Sequence, residues 1–307
     1  MSEKYRLITR SDFDGLASAV LLKKLDMIDD IKFVHPKDMQ DGLIEVTDKD
    51  ITTNLPYVDG VYLAFDHHLS ETIRNKERRE NHIIDPDAPS AARVVYNYYG
   101  GETVFPVEWN DMMSAVDKAD SARFSKDDVL SPNGWELLSF LMDARTGLGR
   151  FREFRISNYN LMMELIDYCT THSIDEILAL EDVKERVDLY FYYEDNFKKQ
   201  LMEKGHLQNN VLVVDLRDVH TIYPGNRFMK YAIYEKSNIS IQVIWGYQKQ
   251  NTVFTVGKSI FNKSSNVNIG ELMLRYGGGG HKNAGTCQVP NEDADRILQE
   301  IIEQLKD

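Results

Sequence analysis

Two short clusters in the chain combine the side chains that bind metal ions. Residues 11–15 (SDFDG) place two carboxylates one residue apart, and Asp66-His67-His68 joins a carboxylate to two imidazoles. Carboxylate and imidazole ligands together favour Mn²⁺, Co²⁺, Fe²⁺ or Zn²⁺ over Ca²⁺ and Mg²⁺. For the first cluster the alternative is an acidic helix N-cap, which stabilises a helix without any metal.

Both clusters directly follow runs that are typical of buried strands. Residues 5–9 (YRLIT) precede the first cluster, and residues 61–65 (VYLAF) precede the triplet. Because open parallel sheets place their ligands at the carboxyl ends of the strands, we expect the two clusters to meet at one edge of a sheet. This is the arrangement of a two-metal site, whose ions lie about 3.5–4 Å apart.

A third cluster has the residues of an anion-binding segment. Residues 277–280 are glycines, and His281 and Lys282 follow them. Glycines let the backbone approach an anion and direct N–H groups at it, and a histidine can donate a proton to a phosphate or a leaving group. The alternative is a flexible loop between a helix and a strand, which does not account for the histidine and the lysine.

Charge and composition restrict the class of partner. The 36 Lys and Arg residues stand against 49 Asp and Glu residues, which gives a formal net charge of −13. This charge repels long polyanions and therefore disfavours long nucleic acids, while a small phosphorylated substrate held by a local cation remains compatible with it. The sequence shows neither a membrane-spanning stretch nor a secretory signal, so we expect a cytoplasmic protein that does not bind membranes.

The order of predicted elements indicates an α/β fold with two domains. Strands at 5–9, 31–34 and 61–65 alternate with helices, and residues 109–198 are compatible with helix almost throughout. We predict an N-terminal domain with a parallel sheet flanked by helices (1–188), a helical connector (189–210) and a smaller C-terminal α/β domain (211–307). Strands at 211–216, 241–247 and 252–260 and a helix at 294–305 belong to the last domain.

The segments SDFDGLASA, FDHH and GGGGHKNAG, in this order and at about this spacing, resemble the DHH family of phosphoesterases with its DHH-associated (DHHA1) C-terminal domain. The resemblance covers essentially the whole chain. The family includes exopolyphosphatase-like proteins, oligoribonucleases, cyclic-dinucleotide phosphodiesterases and the exonuclease RecJ. It implies a DHH domain that binds two Mn²⁺ ions, a DHHA1 domain whose glycine-rich loop holds the substrate, and a cleft between them.

The resemblance also implies roles for individual residues. In the first domain the metal ligands are Asp12, Asp14, Asp66, His67 and Asp120, with Asp117 as the second choice for the last position. His68 orients or polarises the phosphate. In the second domain the phosphate is bound by Gly278, Gly279, Gly280 and His281, with help from Lys258 and Arg275. A solvated surface charge is the alternative for Asp117, Asp120, Lys258 and Arg275.

Two positions depart from the family pattern. Arg10 stands where many relatives have a histidine, and an arginine cannot ligate a metal because it stays protonated. Asn54 stands where the family usually has an aspartate that bridges both ions, with Asp48 and Asp50 just upstream. Arg10 can instead clamp a substrate phosphate, and Asn54 can offer only a neutral oxygen. One metal site is then weak or absent.

The predicted activity is metal-dependent hydrolysis of a small phosphodiester or phosphoanhydride: a short oligonucleotide, a breakdown product of a cyclic dinucleotide, or polyphosphate. One or two Mn²⁺ ions are the expected cofactors, with Mg²⁺ or Co²⁺ as substitutes. The alternative is a catalytically attenuated module that binds nucleotides or phosphate. Many family members are dimers, so a homodimer is a further expectation by analogy.

Two other features carry weaker predictions. The aromatic residues 190–193 (YFYY) are compatible with base stacking, but packing is the more common role of aromatic residues on a helix. Of the remaining histidines, His82 lies nearest to the presumed edge of the sheet.

Overall fold

The computed structural model describes residues 3–75, 77, 79–150 and 153–306, with the backbone alone for Ile73. The chain divides into two compact units, one made of residues 1–144 and 148–188 and the other of residues 145–147 and 189–307. Within the described part of the chain, no helix is long and apolar enough to span a bilayer.

The first unit contains a parallel sheet with the strand order β2-β1-β3-β4-β5. The strands are β1 (Tyr5–Thr9), β2 (Ile28–Phe33), β3 (Asp50–Thr53), β4 (Leu63–Asp66) and β5 (His82–Ile84). Thr53 and Phe65 are register partners, so the carboxyl ends of β3 and β4 lie side by side. The sheet therefore brings the residues that follow both strands to one edge.

Helices cover this sheet. They are α1 (Phe13–Lys24), α2 (Pro36–Gln40), α3 (Leu69–Arg74), α4 (Ala91–Tyr98), α5 (Asn110–Ser121), α6 (Lys126–Leu130), α7 (Gly134–Met142), α8 (Asn158–Thr171) and α9 (Ile174–Ala179), followed by α10 (Glu181–Lys204), of which residues 181–188 belong to this unit. Helix α1 is buried from Phe13 to Leu22 because it packs against α4, α5 and α8. A Cβ on Gly15 would lie 2.0 Å from the carbonyl oxygen of Arg10, so the tight turn from β1 into α1 requires this glycine.

The second unit has a mixed sheet in the order β10-β11-β9-β8-β7-β6, in which only the β7–β8 pair is parallel. Its elements are β6 (Gly205–Gln208), β7 (Val211–Asp215), α11 (Met229–Ile233), β8 (Ile239–Trp245), β9 (Thr252–Lys258), α12 (Ile269–Leu274), β10 (Gly279–His281), β11 (Ala284–Val289) and α13 (Ala294–Leu305). Apolar side chains of the central strands, α12 and α13 form its core.

The predicted fold class is confirmed, and the strands that the sequence analysis missed are mostly short. Strand β3 occupies the centre of the first sheet, yet its sequence DITT has no apolar alternation, and β5 has three residues. Residues 205–208 of the predicted helical connector form β6 instead, because they pair with β7. Part of the glycine run is a strand, β10, and is not a loop.

Candidate functional site

The carboxylate of Asp14 lies at the N-terminus of a neighbouring helix. It is 2% exposed, and its two oxygens accept hydrogen bonds from the backbone N–H groups of Ala91 (3.0 Å) and Ala92 (2.6 Å). These N–H groups begin α4, where Ser90 is the N-cap. The helix dipole favours a negative charge at this position, so α4 holds the Asp14 carboxylate in a fixed orientation.

His67 and Asp120 complete a cluster around Asp14. His67 follows β4; its Nδ1 lies 3.2 Å from the carbonyl oxygen of Ala88, and its Nε2 lies 2.9 Å from Oδ2 of Asp120 on α5. One ligand atom from each of Asp14, His67 and Asp120 lies within 4.8 Å of the others. The structure thus assembles an imidazole and two carboxylates from three separate elements.

A second group of potential ligand atoms adjoins the first and shares His67. Asp66, His67 and His68 also bring one ligand atom each within 4.8 Å of the others. Oδ1 of Asp66 accepts a hydrogen bond from the backbone N–H of His67 at 2.8 Å and lies 2.7 Å from Nδ1 of His68. Oδ2 of Asp66 is buried and has no hydrogen-bond partner among the described residues, so this oxygen can serve as a ligand.

The electrostatics of this region favour a cation. Burial raises the pKa of Asp14 well above its ordinary value, and the negative charges of Asp120 and Asp12 raise it further. Burial by itself would lower the pKa of His67, but the adjoining carboxylate of Asp120, followed by Asp14 and Asp66, raises it to about 9. Because buried carboxylates crowd around one imidazole, a divalent ion would relieve their repulsion. The donor set fits a transition metal ion.

Asp12 contacts Arg10 and caps the N-terminus of α1. Oδ1 of Asp12 accepts a hydrogen bond from the N–H of Gly15 at 3.0 Å, as an N-cap does. Its Oδ2 lies 3.1 Å from Nε of Arg10. Asp12 belongs to neither of the two ligand groups that the described residues form. Asp12 is thus the acidic N-cap of α1, its predicted role as a metal ligand stays a prediction, and Asp14 is part of the cluster.

Asn54 stands at the end of β3 with a left-handed backbone. Its φ is 56°, a conformation that asparagine adopts more readily than most residues. Its N–H donates to the carbonyl oxygen of Phe65 at 3.1 Å, which places Asn54 beside Asp66. Both polar atoms of its side chain are buried and have no hydrogen-bond partner among the described residues. Buried amides normally have a hydrogen-bond partner, so this side chain is available to bind a ligand.

The competing aspartates have structural partners. Asp117 binds Nε and Nη2 of Arg93 at 2.9 and 2.6 Å and accepts a hydrogen bond from Ser90 Oγ at 2.8 Å. Asp50 binds Arg6 through both carboxylate oxygens, with Nε donating to Oδ1 at 2.7 Å and Nη2 donating to Oδ2 at 2.9 Å. Their carboxylates hold elements of the first unit together, which leaves Asp120 as the aspartate of α5 that faces the cluster.

In the second unit the glycine run forms a hairpin. His281 in β10 is exposed and pairs with Ala284 in β11. A Cβ on Gly278 would lie 2.0 Å from the carbonyl oxygen of Thr286, and one on Gly280, whose φ is 154°, would lie 2.3 Å from that of Ala284. Gly279 has no such neighbour within 4 Å. The close packing of the hairpin therefore explains Gly278 and Gly280 but does not explain Gly279.

The two predicted helper cations have different surroundings. Lys258 ends β9. Its backbone N–H donates to the carbonyl oxygen of Asn283 in the hairpin turn, and its Nζ donates to the carbonyl oxygen of Ser265 at 3.0 Å. Arg275 is exposed and donates from Nη1 to Oε1 of Gln304 on α13 at 2.8 Å. The structure places Lys258 beside the hairpin and ties Arg275 to the last helix.

The two weaker predictions concern His82 and the aromatic residues 190–193. His82 begins β5 and lies with its ring centroid 4.8 Å from that of Tyr57, and its Nε2 is buried without a hydrogen-bond partner among the described residues. In the run 190–193, Tyr190 is 1% exposed and Tyr192 is 73% exposed. The backbone N–H groups of Ala91 and Ala92 were missed by the sequence analysis; the signal that could have found them is Ser90, a typical N-cap residue directly before them.

Comparison with known proteins decides the family. Residues 211–307 match the DHHA1 domain model. The structure of the pGpG-specific phosphodiesterase PggH from Vibrio cholerae is similar over 98% of both chains, with 61% sequence identity and a TM-score of 0.90. The chain belongs to the DHH family of phosphoesterases. The predicted family and the predicted class of activity, metal-dependent hydrolysis of a phosphoester, are thereby confirmed.

Two more distant matches extend this comparison. RecJ from Thermus thermophilus, solved in complex with Mn²⁺, matches 97% of this chain and 51% of its own length, with 16% identity and a TM-score of 0.52. An A-adding tRNA nucleotidyltransferase of Aquifex aeolicus is 23% identical over 171 residues, which are 55% of this chain. The chain spans only 17% of that nucleotidyltransferase.

Proposed function

We propose that this DHH phosphoesterase hydrolyses the linear dinucleotide pGpG to two molecules of GMP. The observation that carries the proposal is the 61% identity, over 98% of both chains, to a phosphodiesterase that is specific for pGpG. In this reaction, water adds to the phosphorus of the internal phosphodiester, the bond to the 3′-oxygen of the first nucleoside breaks, and that oxygen takes up a proton. The net charge of −13 agrees with a short substrate.

The proposed metal ligands are Asp14, His67 and Asp120, with Asp66 and the neutral oxygen of Asn54 on the adjoining side. The buried Oδ2 of Asp66 and the buried amide of Asn54, both without partners among the described residues, support this assignment. A divalent ion bound there would polarise the phosphoryl group and lower the pKa of water. Mn²⁺ is the proposed ion, and Mg²⁺ or Co²⁺ are substitutes.

The other residues of the first unit act on the substrate directly. His68 is 38% exposed, and the short contact of its Nδ1 with Asp66 fixes its ring. We assign His68 to a phosphoryl oxygen, where an imidazole N–H stabilises the charge that develops in the transition state. Arg10 keeps guanidinium N–H groups beyond its Nε contact with Asp12, and these can bind a second phosphate oxygen.

The second unit supplies the proposed substrate-binding segment. Residues 278–281 would bind phosphate through the backbone of the hairpin and through His281, which also protonates the leaving oxygen. Lys258 supports this segment from β9. The domain limits that we propose are 1–188 for the DHH domain, 189–210 for the connector and 211–307 for the DHHA1 domain. A homodimer remains a prediction, which light scattering of the purified protein would test.

The test is a hydrolysis assay with purified protein. Chromatography should show GMP released from pGpG with Mn²⁺, no release after chelation, and no release by Asp66→Ala. Polyphosphate, followed by phosphate release, is the competing substrate. Turnover of polyphosphate without turnover of pGpG would contradict the proposal, and binding of pGpG without turnover under any divalent ion would favour the attenuated binding module.

A further inference from the structure

Three buried polar atoms on one face of the parallel sheet have no hydrogen-bond partner among the described residues. They are Oγ1 of Thr52, Oδ2 of Asp66 and Nε2 of His82. Thr52 and His82 are the register partners of Ala64 on the two sides of β4, so these three side chains share a face of the sheet. Asp66 is two residues beyond Ala64 on the same strand and therefore lies on that face as well.

The spacing of the strands brings Asp66 within reach of His82. Neighbouring strands lie about 4.8 Å apart and two residues of a strand span about 6.6 Å, so the Cβ atoms of these residues are about 8 Å apart. An imidazole and a carboxylate that extend from these positions cover most of that distance. Burial lowers the pKa of His82, and the charge of Asp66 is the largest influence against this lowering. The carboxylate thus acts on the imidazole, although no direct hydrogen bond joins the two side chains.

The ring of His82 is held by its neighbour Tyr57, whose ring centroid lies 4.8 Å away. Tyr57 is itself fixed at both ends. Its backbone N–H donates to Oε2 of Glu71 at 3.1 Å, and its hydroxyl group donates to Oδ1 of Asn81 at 3.1 Å. The imidazole therefore has a defined place, but contact with Tyr57 does not account for a buried ring nitrogen that lacks a polar partner.

We propose that His82 is a positioning residue for the proposed metal ligand Asp66, which it contacts through a bound water molecule. The inference rests on the metal site of the proposed function and deepens it. A buried water molecule makes about three hydrogen bonds, and Oγ1 of Thr52 is its third partner. Ala64, between Thr52 and His82, carries only a methyl group. A carboxylate oxygen that ligates a cation keeps a second lone pair for such a contact, and a ligand held in this way binds the metal more tightly.

Calorimetric titration with Mn²⁺ tests this role without any substrate. His82→Phe keeps a ring beside Tyr57 and removes both nitrogens, so it should weaken Mn²⁺ binding roughly tenfold. His82→Gln keeps a polar atom at a similar reach and should recover part of the affinity. Thr52→Val keeps the shape of the side chain, removes its hydroxyl group and should weaken Mn²⁺ binding by a smaller factor. Tyr57→Phe is the control: it removes only the hydroxyl group that contacts Asn81 and should leave Mn²⁺ affinity unchanged.

Turnover at saturating Mn²⁺ distinguishes a positioning residue from a ligand. His82→Phe should then regain most of the wild-type turnover of pGpG, because the ligands themselves are intact, whereas Asp66→Ala should stay inactive. A packing role alone would lower the melting temperature of His82→Phe and leave the Mn²⁺ affinity of the folded variant unchanged.

The outcomes separate this inference from the proposed function. Wild-type Mn²⁺ affinity in folded His82→Phe, or an equal loss of affinity in Tyr57→Phe, overturns the role of His82. If His82→Phe does not fold, Thr52→Val decides, since unchanged Mn²⁺ affinity in that variant overturns the inference and a loss supports it. Normal Mn²⁺ binding by the wild-type protein without hydrolysis of pGpG contradicts only the proposed function, and absence of Mn²⁺ binding contradicts both proposals.

Discussion

Nε2 of His67 lies 2.9 Å from Oδ2 of Asp120, although the two residues come from different elements of the first unit. This contact is close but is not aligned as a hydrogen bond. Both residues belong to the cluster that includes Asp14. Such an approach of a carboxylate and an imidazole is suited to a shared cation, and this relationship leads to the first prediction.

Asp120→Ala should abolish tight Mn²⁺ binding and lower pGpG turnover by about 100-fold or more, because it removes a charged ligand. Without metal the variant should melt at a lower temperature than the wild-type protein below about pH 9, because the contact with Asp120 raises the pKa of His67 to about 9 and the substitution removes this stabilisation. Calorimetric titration with Mn²⁺ and thermal melting of the metal-free protein measure the two effects.

Asp117→Ala is the matched control from the same helix. It removes the two hydrogen bonds from Arg93 and the hydrogen bond from Ser90, and it should cost about 1–3 kcal/mol of stability. The folded variant should bind Mn²⁺ with nearly wild-type affinity. Equal losses of Mn²⁺ affinity in Asp117→Ala and Asp120→Ala would mean that the assignment of Asp120 is wrong.

Metal binding should stabilise the protein more at higher pH. The pKa of Asp14 is raised in the metal-free fold, so the folded chain keeps a proton that the unfolded chain releases above about pH 3.9. The stability contributed by this group therefore falls as the pH rises from that value through the raised pKa. Mn²⁺ binds the ionised carboxylate, and the rise in Tm with Mn²⁺ should grow over the same interval.

Melting curves at several pH values, with Mn²⁺ or with a chelator, measure this coupling. Asp14→Asn should show little effect of Mn²⁺ on Tm at any pH, because the charged ligand is absent. A rise in Tm that is independent of pH in the wild-type protein, or one that persists in Asp14→Asn, would count against Asp14 as a ligand.

Asn54→Asp should increase Mn²⁺ affinity by about tenfold, because a charged oxygen replaces a neutral one beside Asp66. Aspartate has nearly the same shape and tolerates the left-handed φ of 56°. Without metal the variant should melt at a lower temperature, since one more buried carboxylate joins the acidic group. The measurements are calorimetric titration and thermal melting.

Asn209→Asp is the corresponding control. Asn209 has a similar φ of 55° but is exposed in the second unit. Its substitution should leave Mn²⁺ affinity and Tm unchanged. If Asn54→Asp binds Mn²⁺ no more tightly than this control does, Asn54 does not contribute to the metal site.

The glycines of the hairpin should respond differently to alanine. Gly279→Ala should leave Tm unchanged, because its Cβ has open space, yet lower kcat/KM for pGpG roughly tenfold or more if the substrate approaches this backbone. Gly278→Ala should lower stability by about 1–3 kcal/mol, because its Cβ overlaps the carbonyl oxygen of Thr286. Wild-type kinetics in Gly279→Ala would contradict the proposal that phosphate approaches the backbone of this residue.

The sequence by itself determined the family, the α/β class and the residues that could bind a metal. These features are local: Asp14, His67 and His68 directly follow apolar strand runs, and the hairpin glycines precede His281. The order and spacing of such segments can be recognised in the sequence without knowledge of how the chain packs. The same local character explains why β3 escaped the analysis, since its central position comes from its neighbours in the sheet and not from an apolar pattern of its own.

Only the tertiary structure distinguished residues that look equivalent in the sequence. Asp117 and Asp120 lie on one helix, but Arg93 and Ser90 engage the first, while the second meets His67. The capping of α4 by Asp14 and the different surroundings of Gly278 and Gly279 likewise depend on contacts between distant segments. The physical reason is that burial and the partners available to a polar group are fixed by packing, and these decide whether a carboxylate joins elements of the fold or faces the proposed metal site.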